Sequence, residues 1–84
     1  MYRLLTARRA QKDFNRLTPR IARQVRRKTE QLAENPRPQD AKKIISLPGL
    51  LRVDSGEYRI LYAVNDSEQT VLIERIRHRR EAYR

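Results

Sequence analysis

Guanidinium groups dominate the chemistry this sequence can offer. Of 84 residues, 16 are Arg and 4 are Lys, against 10 Asp+Glu, a single His and no Cys. A guanidinium is planar, permanently charged and able to grip a phosphate with two parallel hydrogen bonds. Arg59 stands between Tyr58 and Ile60 in an otherwise apolar segment, Arg52 precedes it, and Arg75, Arg77, Arg79, Arg80 and Arg84 crowd the last ten residues. An unpaired Arg among apolar neighbours is costly. Arg59 therefore needs either a carboxylate, with Asp54, Glu57 and Glu74 at hand, or a polar sheet face where a phosphate binds. Several guanidinium groups on one face repel each other unless an anion lies among them. His78 adds an imidazole, the side-chain type suited to proton transfer near neutral pH. Tyr83 adds a phenol whose ordinary value near 10 would be lowered by surrounding positive charge.

The formal charge is +10, which points to a polyanionic partner, nucleic acid or an acidic protein. The charge is uneven: residues 1–42 carry 12 basic and 4 acidic groups, residues 43–84 carry 8 and 6. The length has room for one domain, residues 1–84, with a modest core. Without Cys there is no disulfide framework or thiolate metal site, and one His makes a zinc site an unexpected reading; no cofactor is expected. The longest apolar run, residues 60–64, is far short of the roughly 20 residues of a membrane span. The expectation is a cytoplasmic protein with no membrane partner.

These side chains need elements to position them. Tyr2 to Leu5 reads as a short strand. Thr6 reads as an N-cap, before Ala7, Ala10, Phe14 and Leu17 at helical spacing over 7–17. Thr18-Pro19 opens a second helix, with an N-cap hydroxyl and Pro at the first helical position, and Asn35-Pro36 ends it. Almost no connector separates the two, so a helix hairpin is expected. The second helix carries an apolar stripe of Ile21, Val25, Thr29 and Leu32. Its outer face carries Arg20, Arg23, Arg26, Arg27 and Lys28, either a solvated face or one that a polyanion neutralises. After the loop 36–40, residues 42–46 are ambiguous and Leu47-Pro48-Gly49 reads as a turn. Strands are expected over 50–54, 58–64 and 70–76. The order β-α-α-β-β-β predicts an α+β fold, with the helix hairpin packed on one face of a small antiparallel sheet.

Three segments carry a family resemblance. Leu47-Pro48-Gly49-Leu50-Leu51-Arg52-Val53, then Gly56-Glu57-Tyr58-Arg59-Ile60-Leu61-Tyr62, then Arg77-His78-Arg79-Arg80-Glu81-Ala82-Tyr83-Arg84 resemble, in this order and spacing, the RelE/ParE superfamily of bacterial toxins, and its RelE branch in particular. The resemblance implies the toxin of a type II toxin–antitoxin pair that enters the ribosomal A site and cuts messenger RNA there without a metal. The ribose 2′-hydroxyl attacks the adjacent phosphate, leaving a 2′,3′-cyclic phosphate and a 5′-hydroxyl. That chemistry needs a base, positive charge for the transition state and an acid. Carried over residue by residue, the resemblance assigns Arg59 and Arg79 to transition-state charge and Arg52 and Arg77 to the phosphate. Tyr83 and His78 take proton transfer or stacking, and the basic face Arg20, Arg23, Arg26, Arg27 and Lys28 takes ribosomal RNA. Arg as acid or base is chemically difficult, its pKa lying above about 12, so positioning by the ribosome is expected to carry much of the rate. Where some relatives place a second basic residue two positions after the first, this chain has Asp54, which would oppose a phosphate, hold Arg52 or act as a base.

The resemblance also implies an antitoxin whose acidic or amphipathic segment wraps the toxin, with operator DNA bound mainly through that complex. Two other readings stay open: a ParE-like inhibitor that binds DNA gyrase and is not a nuclease, and a nucleic-acid-binding accessory protein.

Overall fold

A computed structural model describes residues 1–81. The elements are β1 Arg3–Thr6, α1 Arg8–Asn15, α2 Pro19–Glu34, β2 Lys42–Lys43, β3 Leu51–Ser55, β4 Tyr58–Asn65 and β5 Thr70–His78. The strands form one sheet in the order β1-β5-β4-β3-β2, and the helices pack on one face of it. The β3-β4-β5 meander is antiparallel and β2 adds an antiparallel edge, but β1 runs parallel to β5. That parallel strand departs from the all-antiparallel expectation. Local pattern shows that residues 2–5 are extended, not where they insert.

The core explains the layering. Val53, Ile60, Tyr62, Val71, Ile73 and Ile76 from the sheet close against Val25 and Leu32 of α2 and Ala10 of α1. In β5 the buried positions step by two from Val71 to Ile73 and then by three to Ile76. Strict alternation forbids this. The ladder absorbs the extra residue: Leu61 faces Arg75 and Tyr62 faces Ile73, so Glu74 is skipped in register. This β-bulge lets both isoleucines reach one core.

The element ends shift by physical causes. Thr6 is not the N-cap; it pairs with Ile73, and the Ala7 N–H still donates to the Ile73 carbonyl, so Ala7 takes the cap position of α1. Thr18 does cap α2 by position, with Pro19 following, but its hydroxyl makes no capping bond. The ambiguous stretch supplies the two-residue edge strand β2, whose Lys42 and Lys43 face Arg52 and Leu51. Short, Lys-bearing edges are a usual guard against edge-to-edge pairing. The loop before β2 is pinned. The buried Tyr62 hydroxyl donates to the Pro36 carbonyl at 2.7 Å, and the Arg37 guanidinium spans both Asp66 oxygens at 3.0 and 2.9 Å.

Candidate active site

The sheet face turned away from α2 collects the arginines, and strand register is what does it. Asp54 of β3 faces Arg59 of β4, and Arg59 faces Arg77 of β5. One row across three strands thus reads carboxylate, guanidinium, guanidinium. The next row sets Arg52 opposite Leu61, and Leu61 opposite Arg75. Leu61 lies outside the main core cluster yet is 3% exposed, as expected where arginine stems lie over a sheet and keep their heads in water.

Like charges directly opposite each other destabilise a sheet. Asp54 offsets this here: one of its oxygens, Oδ1, lies 3.4 Å from an Arg52 terminal nitrogen and 3.4 Å from Arg59 Nε. Of the alternatives for Asp54, it holds Arg52, and Arg59 as well. The carboxylate is half exposed while Arg52, Arg59 and Arg77 have mostly covered side chains. An incoming anion could therefore replace it without rebuilding the surrounding packing.

At the end of β5 the ladder runs on, with the Arg79 N–H donating to the Glu57 carbonyl at 2.8 Å. Glu57 then meets two of the expected residues, with His78 Nε2 at 3.5 Å and an Arg79 nitrogen at 3.9 Å. The Arg80 N–H donates to His78 Nδ1 at 3.2 Å, so the neutral imidazole carries its proton on Nε2, toward Glu57. The Tyr58 and His78 rings meet edge to face, centroids 5.3 Å apart at 83°. Arg77 approaches Glu81 at 3.9 Å.

Arg52, Arg59 and Arg77 therefore share one face. Arg79 stands at its margin, 60% exposed, beside Glu57. His78 belongs to the register of the helix-covered face, opposite Tyr58. Tyr83 lies outside the described residues. The basic set on α2 divides. Arg20, Arg23 and Arg27 are exposed, Arg26 lies over the Phe14 ring at 5.0 Å, and Lys28 is turned to Asp40 at 3.0 Å. Because α2 covers the other side of the sheet, its outer face and the arginine row look in opposite directions.

Sequence reasoning missed Asp13. Its carboxylate receives the Arg75 guanidinium at 2.8 and 3.1 Å and the Ile76 N–H at 3.0 Å. Burial pushes its pKa up, but the bonds from Arg75 and Ile76 outweigh that and hold it below the usual carboxylate value. A signal was present: Asp13 falls beside Phe14 on the stripe of Ala10 and Leu17, where a carboxylate is out of place unless paired. Among the described residues no group of three or more His, Cys, Asp or Glu is arranged to hold a metal ion. No described helix is long and apolar enough to cross a membrane.

Residues 4–83 match the family described as ParE toxin of type II toxin-antitoxin system, parDE. The chain belongs to this toxin family. The toxin's fold is similar to that in the RelBE2 toxin–antitoxin complex of Mycobacterium tuberculosis, with TM-score 0.83 and 30% identity over 92% of this chain and 96% of that one. It is likewise similar to the intact RelBE complex of E. coli, at 0.80 and 25% over 93% and 96%. The RelE–RelB complex of Pyrococcus horikoshii shares the fold at 0.81 and 24% over 96% and 98%. Within the RelE/ParE superfamily these structures put the toxin on the RelE branch. No curated protein sequence matches it.

Proposed function

We propose that the toxin is a ribosome-dependent endoribonuclease that cuts messenger RNA in the A site and so stops translation. The observation that carries this reading is the row of guanidinium groups on the open sheet face, Arg59 and Arg77 in register with Arg52 beside them. In metal-independent cleavage the ribose 2′-oxygen attacks the neighbouring phosphorus, the bond to the 5′-oxygen breaks, and a 2′,3′-cyclic phosphate results. Negative charge grows on the non-bridging oxygens as that happens, and preorganised cations aimed at them lower the barrier. Arg59 and Arg79 serve the transition state, Arg52 and Arg77 hold the phosphate, and His78 with Tyr83 serves proton transfer or stacking. Arg20, Arg23 and Arg27 look away from that face. A substrate enclosed in a cleft of ribosomal RNA suits this arrangement, since the cleft can contact both sides of the toxin at once.

The partner that silences the toxin is an antitoxin with an acidic or amphipathic segment, favoured by a charge of +10. Solved relatives are RelBE toxin–antitoxin complexes. Operator DNA is bound through that complex, and the toxin acts in the cytoplasm.

Purified toxin added to translating ribosomes should produce cuts at A-site codons. Arg59→Ala should lower the rate about 10²–10³-fold, the usual loss for one transition-state donor, with an unchanged unfolding midpoint. A second reading rests on the family description, which is that of ParE: a gyrase-binding toxin without nuclease activity. Intact messenger RNA together with blocked DNA supercoiling would select it.

A further inference from the structure

We propose that a notch at the outer edge of β5 is a nucleotide-binding subsite, continuous with the arginine face and taking one base of a single-stranded RNA. This rests in part on the nuclease reading above. β1 stops at Thr6, opposite Ile73. Beyond it, β5 runs on to His78 with α1 rather than a strand beside it. A cavity of about 290 Å³ opens there, at the small end of the range for ligand pockets and so suited to one nucleotide-sized group. Groups from both faces of the sheet meet there, since Arg77 comes from the arginine row and His78 from the helix-covered face.

The lining fits a base with a phosphate attached. Leu17 and Ile76 give an apolar floor and Tyr58 with His78 an aromatic wall. The edge-to-face contact of those rings leaves π-surface for a base to stack on, an interaction every base can make. Arg16 and Glu81 stand at the rim, a donor and an acceptor of the kinds that read base edges. Arg77 offers a guanidinium to the phosphate, its contact with Glu81 being a loose 3.9 Å. Arg75 is already committed to the buried Asp13, so it shapes the wall rather than competing for the ligand. An RNA strand lying on the arginine row can thus turn over the edge of β5 and drop one base into the notch.

The test uses the whole toxin and a 2′-O-methylated RNA trinucleotide, which cannot be cut because its attacking oxygen is blocked. NMR titration should shift the signals of Arg16, Leu17, Tyr58 and His78, and inorganic phosphate alone should shift mainly Arg52 and Arg59. Arg16→Glu is an exposed change on the connector between helices, and should weaken trinucleotide binding about tenfold without moving the unfolding midpoint. Shifts confined to Arg52, Asp54 and Arg59, or unchanged binding by Arg16→Glu, would overturn the proposal. So would a notch that responds to an acidic peptide and not to RNA. On ribosomes, Arg16→Glu should change the relative cutting rates among codons. If the natural toxin cuts and the variant cuts every codon alike, the subsite is wrong and the nuclease reading stands. If the natural toxin does not cut but the trinucleotide still fills the notch, the nuclease reading fails and the binding site stands.

Discussion

Asp13 shows how one side chain can tie function to folding. It closes the exposed edge of β5 just before Arg77 and His78, taking the Ile76 N–H and the Arg75 guanidinium together. Asp13→Ala leaves a buried N–H and a part-buried cation without their acceptor, at a cost of about 2–3 kcal/mol. The pH dependence follows from its lowered folded-state pKa. The unfolded chain takes up this proton first as pH falls, so the contribution is complete above about 3.9 and is lost as pH drops through the folded value. Urea midpoints measured from pH 6 down to 2.5 should therefore decline, and Asp13→Asn should flatten part of that decline. An identical slope in the variant would show that Asp13 contributes nothing to it. At the arginine row the partner works differently. Asp54 shares a single oxygen between Arg52 and Arg59 at 3.4 Å, so its contribution is to neutralise crowded charge.

At the scale of elements, β5 carries both the core and the site. The bulge at Glu74 reconciles a three-residue step between Ile73 and Ile76 with a two-residue pleat. Deleting Glu74 leaves Ile73 and Ile76 two residues apart, so a regular pleat keeps both in the core and the bulge is lost. Arg77 then stays on the arginine face and His78 on the core face, and with no core isoleucine site emptied the expected cost stays below about 2 kcal/mol. Retention of a cooperative thermal transition is the expected outcome; a variant that lost it would show that the bulge does more than keep the two isoleucines on one face. The loop from α2 to β2 is held more simply. Tyr62 is fully buried, and burial pushes its hydroxyl up to about 12, so it stays a donor to the Pro36 carbonyl at any ordinary pH. Tyr62→Phe keeps the packing and should cost about 1 kcal/mol, read as a lowered denaturation midpoint.

The whole molecule is a small two-layer body carrying +10. Its two basic surfaces face apart, Arg20, Arg23 and Arg27 on one side and Arg52, Arg59 and Arg77 on the other. Binding to ribosomes should weaken steeply with salt as counterions are released, with a slope of about −0.7 per phosphate neutralised on single strands and about −0.9 on duplex. Reversing Arg20, Arg23 and Arg27 to Glu should reduce both affinity and slope while leaving the unfolding midpoint within about 0.5 kcal/mol, since exposed helix charges carry little stability. An unaltered salt slope would mean that the helix face is solvated and does not bind.

Much of this was legible in the chain because the signals are local. Thr18-Pro19 and Asn35-Pro36 bound α2 within a residue of its observed ends, since Pro acts on its own φ and on its neighbour. The apolar runs 58–64 and 70–76 mark β4 and β5, and the Arg types set the expected class of ligand. What the tertiary structure alone decided depends on register and on insertion, which no local pattern encodes. The parallel docking of β1 on β5 could not be read from Tyr2 to Leu5. The bulge that lets Ile73 and Ile76 share a core requires knowing which residue of β4 each one faces. The same register sets Asp54, Arg59 and Arg77 in a row. Residue types determined that this protein is rich in guanidinium groups; strand pairing decided where they gather, because side chains far apart in sequence become neighbours only through the ladder that aligns them.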